Sequence, residues 1–162
     1  MTIDELNALP DLRAQDVLRA CCGSSRWVAA MLAQRPFDSL EQMLDASDKA
    51  WSKTGEEDWI EAFAHHPRIG DRRVSGWAGA EQSMALSAAA TVQEKLADSN
   101  RKYEDRFGRI YIVCATGMTA EEMLSDVSAR MQNDDATELR ISAGEQNKIT
   151  RIRIRKLLGE TS

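Results

Sequence analysis

Apolar residues recur along most of this chain three and four positions apart, the spacing that lines one face of a helix. Leu40, Met43, Leu44, Ala50 and Trp51 follow it, with Ser47 on the same face, and Ser39 with Gln42 three residues on forms a capping-box start. Thr119 and Glu122 make a second such start ahead of the stripe Met123, Leu124, Val127 and Met131. A long segment from about 80 to 107 carries Val92, Leu96, Tyr103 and Phe107 on one face, and Gly108 behind it is a stop signal. Residues from about 134 to 158 are again helical by pattern. Shorter helices are expected near 3–20, 24–34 and 55–65, and only three prolines, at 10, 36 and 67, interrupt the chain.

Two segments depart from that period. Ile110, Tyr111, Ile112, Val113, Cys114 and Ala115 form a continuous, largely β-branched apolar run bounded by Gly108 and Gly117. Alone it reads as a short buried strand. No second strand is available to pair with it, so it is expected as an extended stretch between helices whose backbone groups need partners. Residues 66–79 hold Pro67, Gly70, Gly76 and Gly79 among several charges and read as a loop, the kind of segment that carries sites on a rigid helical frame. With no repeat, low-complexity tract or linker, the pattern implies a single all-α domain over residues 1–162. It comprises seven to eight helices and one short extended segment at 110–115.

Composition narrows the function classes. At 162 residues, 43% hydrophobic and 29% charged, the chain has the make-up of a globular domain large enough to bury a core. A net charge of −5 argues against general nucleic-acid binding. No apolar run approaches the ~18 residues needed to span a bilayer. The acidic start Met1-Thr2-Ile3-Asp4-Glu5 does not read as a secretory signal, and Gly159-Glu160-Thr161-Ser162 is no peroxisomal address. A bacterial cytoplasm is therefore the expected location. Cys21 and Cys22 are adjacent and Cys114 makes an odd third, with no Cys-x-x-Cys spacing; reduced, structural thiols are expected rather than disulfides or metal ligands.

Chemistry-bearing residues are few. His65 and His66 stand where a helix meets the Pro/Gly loop, and histidine titrates nearest neutrality. The residue before a proline is pushed out of the helical region, which aims His66 toward the loop. Spacing alone favours a pair that merely ends a helix; a catalytic acid or base is the sharper alternative. Zinc on Glu61 and His65 is a third, weakened by the lack of a further ligand nearby. Glu81 and Gln82 open the long helix after the loop, where an acid is expected from the helix dipole alone. In the run Arg151-Ile152-Arg153-Ile154-Arg155-Lys156, Arg151 and Arg155 lie one turn apart and opposite Ile149 and Ile152. Arg153 falls in the arc bounded by Ile152, Ile149 and Leu157 and is the arginine expected to point inward. Such an arginine needs an anionic or carbonyl partner, either a helix acid or a ligand. Nothing in this set requires a cofactor or a metal. It suits a small anionic substrate and a proton transfer without naming a reaction.

The chain resembles the 2-oxo-4-hydroxy-4-carboxy-5-ureidoimidazoline (OHCU) decarboxylase family in four stretches, in the family's order and spacing. They are His66-Pro67-Arg68-Ile69-Gly70; Glu81-Gln82; Asn100-Arg101-Lys102-Tyr103-Glu104-Asp105-Arg106-Phe107-Gly108 running into Tyr111-Ile112-Val113-Cys114-Ala115; and Lys148-Ile149-Thr150-Arg151-Ile152-Arg153. The likeness spans nearly the whole chain and is weakest before residue 35. It implies an all-helical homodimer that decarboxylates its anionic ureidoimidazoline substrate to (S)-allantoin, at the end of urate oxidation, without a cofactor. It also implies His66, Glu81 and Arg153 as the catalytic side chains. Pro67, Ala78, Gly79, Ala80, Glu81, Gln82, Tyr111, Ile112, Val113, Cys114 and Ala115 then fall where the family contacts substrate. One position departs: three residues ahead of the acid the family usually has serine, and here it is Ala78. The hydroxyl contact is then either lost or supplied by Ser75 or Ser83. Two other classes stay open: a non-enzymatic helical module docking through Arg151 and Arg155, and a hydrolase acting on 5-hydroxyisourate.

Overall fold

The computed structural model describes residues 1–67 and 90–160 of the chain. Among the described residues there are eight helices and no strand: α1 (Ile3–Ala8), α2 (Asp11–Cys21), α3 (Ser25–Ala33), α4 (Leu40–Ser52), α5 (Glu56–Ala64), α6 (Ala90–Phe107), α7 (Ala120–Arg130) and α8 (Asp135–Leu157). The all-α expectation holds. The helix expected over 3–20 is two helices, because Pro10 occupies the N-cap of α2 with an extended ψ of 147°. A proline lacks the N–H that a continuous helix would use there. The carbonyls left over at the end of α1 are taken by Arg35, whose Nη1 donates to Leu6 and Leu9 at 2.9 Å each.

Local start signals work as their chemistry requires. Thr119 and Glu122 form a reciprocal capping box at 3.1 Å in both directions. Thr2 and Glu5 form another, which the apolar pattern did not flag. Ser39 caps α4 through the Gln42 N–H, but the Gln42 side chain reaches back one residue further, to the Asp38 N–H, so only half of the expected box is made. At the C-termini Gly108 (φ 69°) and Gly159 (φ 81°) take the left-handed conformation that favours glycine. Gly108 N–H returns to the Glu104 carbonyl at 2.8 Å. Gly159 and Glu160 bond Lys156 and Arg155 at 3.1 and 2.9 Å, a Schellman stop for α8.

The residues group into two compact units, 1–65 with 146–162, and 66–145. In the first, α3 packs on α2, α4 and α5. Trp27, Val28 and Met31 are its buried face, and the Trp27 indole N–H donates to the Ser47 hydroxyl and carbonyl. Leu18, Met31 and Phe63 are fully enclosed here. Each such side chain contributes roughly 1.5–3 kcal/mol, more than the ~1 kcal/mol of a helix cap, so packing rather than capping dominates. In the second unit α6 packs on α7 around Leu96, Tyr103, Phe107, Tyr111, Val113, Met123 and Val127, with Met118, Leu124 and Met131 at the margin.

Helix α8 runs through both units, and its buried stripe is unusually polar. Glu138, Ser142, Gln146 and Thr150 repeat every four residues along it, beside Leu139, Ala143, Ile149, Arg153 and Ile154. No helix of the described residues is long and apolar enough to cross a membrane. Replacing Thr119 by Ala removes the acceptor for the Glu122 N–H and should cost about 1 kcal/mol. Urea unfolding should show a lower midpoint with an unchanged slope; an unchanged midpoint would show that α7 does not depend on its cap.

Candidate active site

Helix α5 ends at His65, and the sequence behind that position explains why. The His65 N–H bonds the Ala62 carbonyl at 3.2 Å, and its ring Nδ1 lies 3.0 Å from the Glu61 carbonyl, so the side chain closes the helix end. The ring also lies directly against Gly23: a Cβ built there would sit 2.4 Å from His65 Cγ and Nδ1. Glu61 is occupied as well, accepting from Ser25 Oγ at 2.5 Å and Ser25 N at 3.0 Å. The Ser25 hydroxyl holds the Glu61 carboxyl below its usual range. The pair once open to zinc therefore serves the α5 terminus and the start of α3, and no group of three or more potential ligands occurs among the described residues. Of the two histidines, His65 is the one that ends the helix. His66 follows in a bend, half-buried, with Pro67 half-buried behind it.

Arg153 behaves as its helical position requires. It lies in the buried stripe of α8 and is 7% exposed, while Arg151 and Arg155 are half-exposed and face other groups. Ile154 rather than Ile152 is its fully buried neighbour, so the stripe is centred slightly further round the helix than the isoleucine pattern implies. Arg153 lies in the electrostatic field of two thiols. Burial pushes Cys21 up to about 12 and Cys22 up to about 11, against the pull of the Arg153 charge. Both thiols are thus protonated and neutral at physiological pH, and neither supplies a counter-charge to the guanidinium. Cys22 also bonds Thr150, which donates to the Gln146 carbonyl at 3.0 Å. All three cysteines are free, as expected.

Arg151 and Arg155 have partners within the chain. Arg151 pairs with Asp48, which also accepts from Asn147 at 3.0 Å, and Arg155 pairs with Glu160 at 2.8 Å.

In the second unit the run 110–115 is neither helix nor strand, as expected. Tyr111, Ile112 and Val113 are buried; Cys114 and Ala115 are half-buried. The donor for its backbone comes from a residue the sequence pattern passed over. Arg130 Nη1 donates to the Ile112 carbonyl at 2.6 Å. The same guanidinium donates through Nε to Glu138 Oε1 at 2.6 Å and through Nη2 to Ser142 Oγ at 3.0 Å. Tyr103 OH donates to Glu138 Oε1 at 2.6 Å, and Asn133 Nδ2 to Glu138 Oε2 at 3.1 Å. Arg130 lies 4.8 Å from the Tyr111 ring centre, and the Tyr111 hydroxyl bonds Asp126. Burial opposes the Arg130 charge, but Glu138 outweighs it and holds the guanidinium above its ordinary value. The signal for this cluster was present: Ala120, Met123, Val127 and Arg130 fall on one face of α7, so a charge sits on the apolar stripe. Glu81, Gln82, Ala78, Gly79 and Ala80, the rest of the loop from 68, Ser75 and Ser83 included, and the first part of the long segment up to 89 lie outside the described residues.

Comparison with known proteins shows the family. The OHCU decarboxylase family model matches residues 7–155. Among curated relatives, the uric acid degradation bifunctional protein TTL of Arabidopsis thaliana is 36% identical over 159 residues, covering 90% of this chain and 48% of that protein. This chain thus spans about half the length of that relative. The 2-oxo-4-hydroxy-4-carboxy-5-ureidoimidazoline decarboxylase of Haloferax volcanii is 24% identical over 158 residues, 95% of this chain and 94% of that one. A crystal structure of OHCU decarboxylase in the presence of (S)-allantoin superposes with a TM-score of 0.80 at 35% identity, over 90% of this chain and 99% of that one. Fold and matches together define an all-helical class of decarboxylases. The chain belongs to the OHCU decarboxylase family.

The second unit yields a test by pH. Tyr103 and Tyr111 are the only tyrosines of the chain. Burial first, then hydrogen bonds to Glu138 and Asp126, push Tyr103 up to about 12 and Tyr111 higher still. A raised folded-state value means that the stability they contribute is fully present below the unfolded value near 10 and is lost as pH rises through the folded values. Near pH 10 the native chain should show almost no tyrosinate absorbance, whereas the urea-unfolded chain should show both phenols titrating. Tyrosinate at that pH in the native chain would contradict the buried assignments.

Proposed function

We propose that the chain is a cofactor-independent carboxy-lyase. It converts 2-oxo-4-hydroxy-4-carboxy-5-ureidoimidazoline to (S)-allantoin and CO2, the last step of urate oxidation, with His66 as the stereospecific proton donor. The observation that carries the reading is the family match over residues 7–155, joined to the placement of Arg153 on the buried stripe of α8. As its name states, the substrate carries hydroxyl and carboxyl groups on one ring carbon and the ureido group on the next. When the carboxylate leaves as CO2, the electron pair of the broken C–C bond forms a double bond to the ureido-bearing carbon. The C=N pair moves onto the ring nitrogen, which takes up a proton, so the substrate is its own electron sink. The enol so formed gives up its O–H proton as the hydroxyl-bearing carbon becomes the carbonyl of the product. The ureido-bearing carbon takes up a proton on one face, which sets the (S) configuration.

In this scheme Arg153 orients the anion by two-point hydrogen bonding. Glu81 and Gln82 hold its hydroxyl and ureido groups, with Ala78, Gly79 and Ala80 beside them, and Pro67 borders His66. Backbone groups of Tyr111, Ile112, Val113, Cys114 and Ala115 bind ring carbonyl oxygens. His66 delivers the proton; positioned general acids of this kind contribute ~10²–10⁴-fold. The fastening of His65 to Glu61 and Gly23 supports separate work for the two histidines. Residues 1–162 act as one functional domain, and two copies form a homodimer. Three free cysteines fit the reducing interior of a bacterial cytoplasm.

Two variants test the roles. With substrate generated freshly from urate by urate oxidase, His66→Ala should lose ~10²-fold or more in the rate of optically active allantoin formation. A folded variant matching wild type would remove His66 from the role. Arg153→Lys should also lose most of its activity, because an ammonium cannot reproduce a planar two-point contact. Near-normal kinetics would rule out the orienting role. If instead 5-hydroxyisourate is the intermediate that disappears faster, the hydrolase reading replaces this one.

A further inference from the structure

We propose that Arg130 is a positioning residue for the substrate-binding segment: it fixes the Ile112 carbonyl and thereby the direction in which the backbone of residues 111–115 is presented. The inference rests on the decarboxylase reading above. Arg130 itself need not touch substrate.

The geometry is over-determined in a way that mere charge neutralisation does not require. Arg130 is 5% exposed, and its planar guanidinium is held along two edges at once. Nε and Nη2 serve Glu138 and Ser142, while Nη1 reaches the Ile112 carbonyl at 2.6 Å. Glu138, which is fully buried, is itself held by Tyr103 at 2.6 Å and Asn133 at 3.1 Å. A rigid fork cannot turn one edge without moving the other. The position of the Ile112 carbonyl is therefore tied to α8 through Glu138 and Ser142, and to α6 through Tyr103. Tyr111 adds a side-chain restraint on the same segment, since its ring faces Arg130 and its hydroxyl bonds Asp126 on α7. With neither helix nor strand over residues 110–115 to set it, the direction of the Ile112 carbonyl is set by this bond.

The test compares wild type, Arg130→Met combined with Glu138→Leu, Arg130→Lys, and Ser142→Ala. The double variant removes both buried charges together and keeps the space filled, so the fold is retained while the lock is lost. Helical content by circular dichroism, KM for freshly generated substrate, and the Kd of (S)-allantoin would be measured for each. In the double variant KM and the (S)-allantoin Kd should rise together by about tenfold, with a smaller change in kcat per folded molecule. Arg130→Lys, which keeps the charge beside Glu138 but cannot span both partners, should move KM in the same direction with helical content unchanged. Ser142→Ala, which removes only one of the holds on the guanidinium, should raise both constants by less than the double variant does. A purely structural role would lower the folded fraction and leave KM and Kd untouched in the molecules that fold; that outcome in either Arg130 variant overturns the proposal. If the double variant does not fold, Arg130→Lys decides alone. A wild-type chain that turns over no substrate and binds no (S)-allantoin removes the decarboxylase reading and this inference with it. An active wild type with unchanged variants removes only the inference.

Discussion

The bond from Arg130 to the Ile112 carbonyl answers a constraint that no helix can meet. Tyr111, Ile112 and Val113 are drawn into the core beside α6 and α7, and among the described residues no strand pairs with them. A buried carbonyl without a donor costs roughly 1–3 kcal/mol, whereas a hydrogen bond to a charged donor returns about 1.5–3 kcal/mol. The donor supplied is a guanidinium, and that choice brings its own requirement: a buried cation must be compensated. Glu138 meets it from α8, and Glu138 in turn draws in Tyr103, Asn133 and Ser142. One non-helical segment thus organises polar side chains from three helices. Removing a single member of such a pair would cost about 3–5 kcal/mol, yet replacing the pair by hydrocarbon is often neutral, so net stability does not explain its presence. Fixing a backbone in one orientation does.

Helix α8 shows the same logic extended along its length. Its buried face alternates hydrocarbon with Glu138, Ser142, Gln146, Thr150 and Arg153. In the second unit those polar groups hold Arg130 and the 110–115 segment. In the first unit they stand beside Cys22 and Cys21, whose thiols burial keeps neutral. Arg130 is matched by the Glu138 carboxylate and is structurally committed, while the Arg153 charge acts on two neutral thiols. On the proposed reading, the first arginine is scaffold and the second orients the anionic substrate.

Much of the helical frame was legible in the sequence. The stripe of α4, the capping box at Thr119 and Glu122 and the stop at Gly108 are local: each depends on residues three or four positions apart, and the structure shows them. The break between α1 and α2 was written in Pro10 and was overlooked because the apolar pattern continues across it. Arg153 was found by helical geometry because its burial is decided within one turn of α8. Arg130 was missed although it sits on the apolar stripe of α7. A charged residue in that position is usually read as the edge of a face, and its partners lie eight and eighteen residues away in sequence.

Sequence by itself determined the helices, the non-helical character of residues 110–115, the inward arginine of α8 and the four motifs that mark the family. Only the tertiary structure decided which histidine closes α5, because that depends on Gly23 leaving space for the His65 ring from a distant helix start. The surroundings of Arg153, and which side chain meets the carbonyl of Ile112, were likewise decided only there. Local signals are read within a turn of chain, but a buried donor finds its acceptor through space, and nothing in residue spacing encodes that distance.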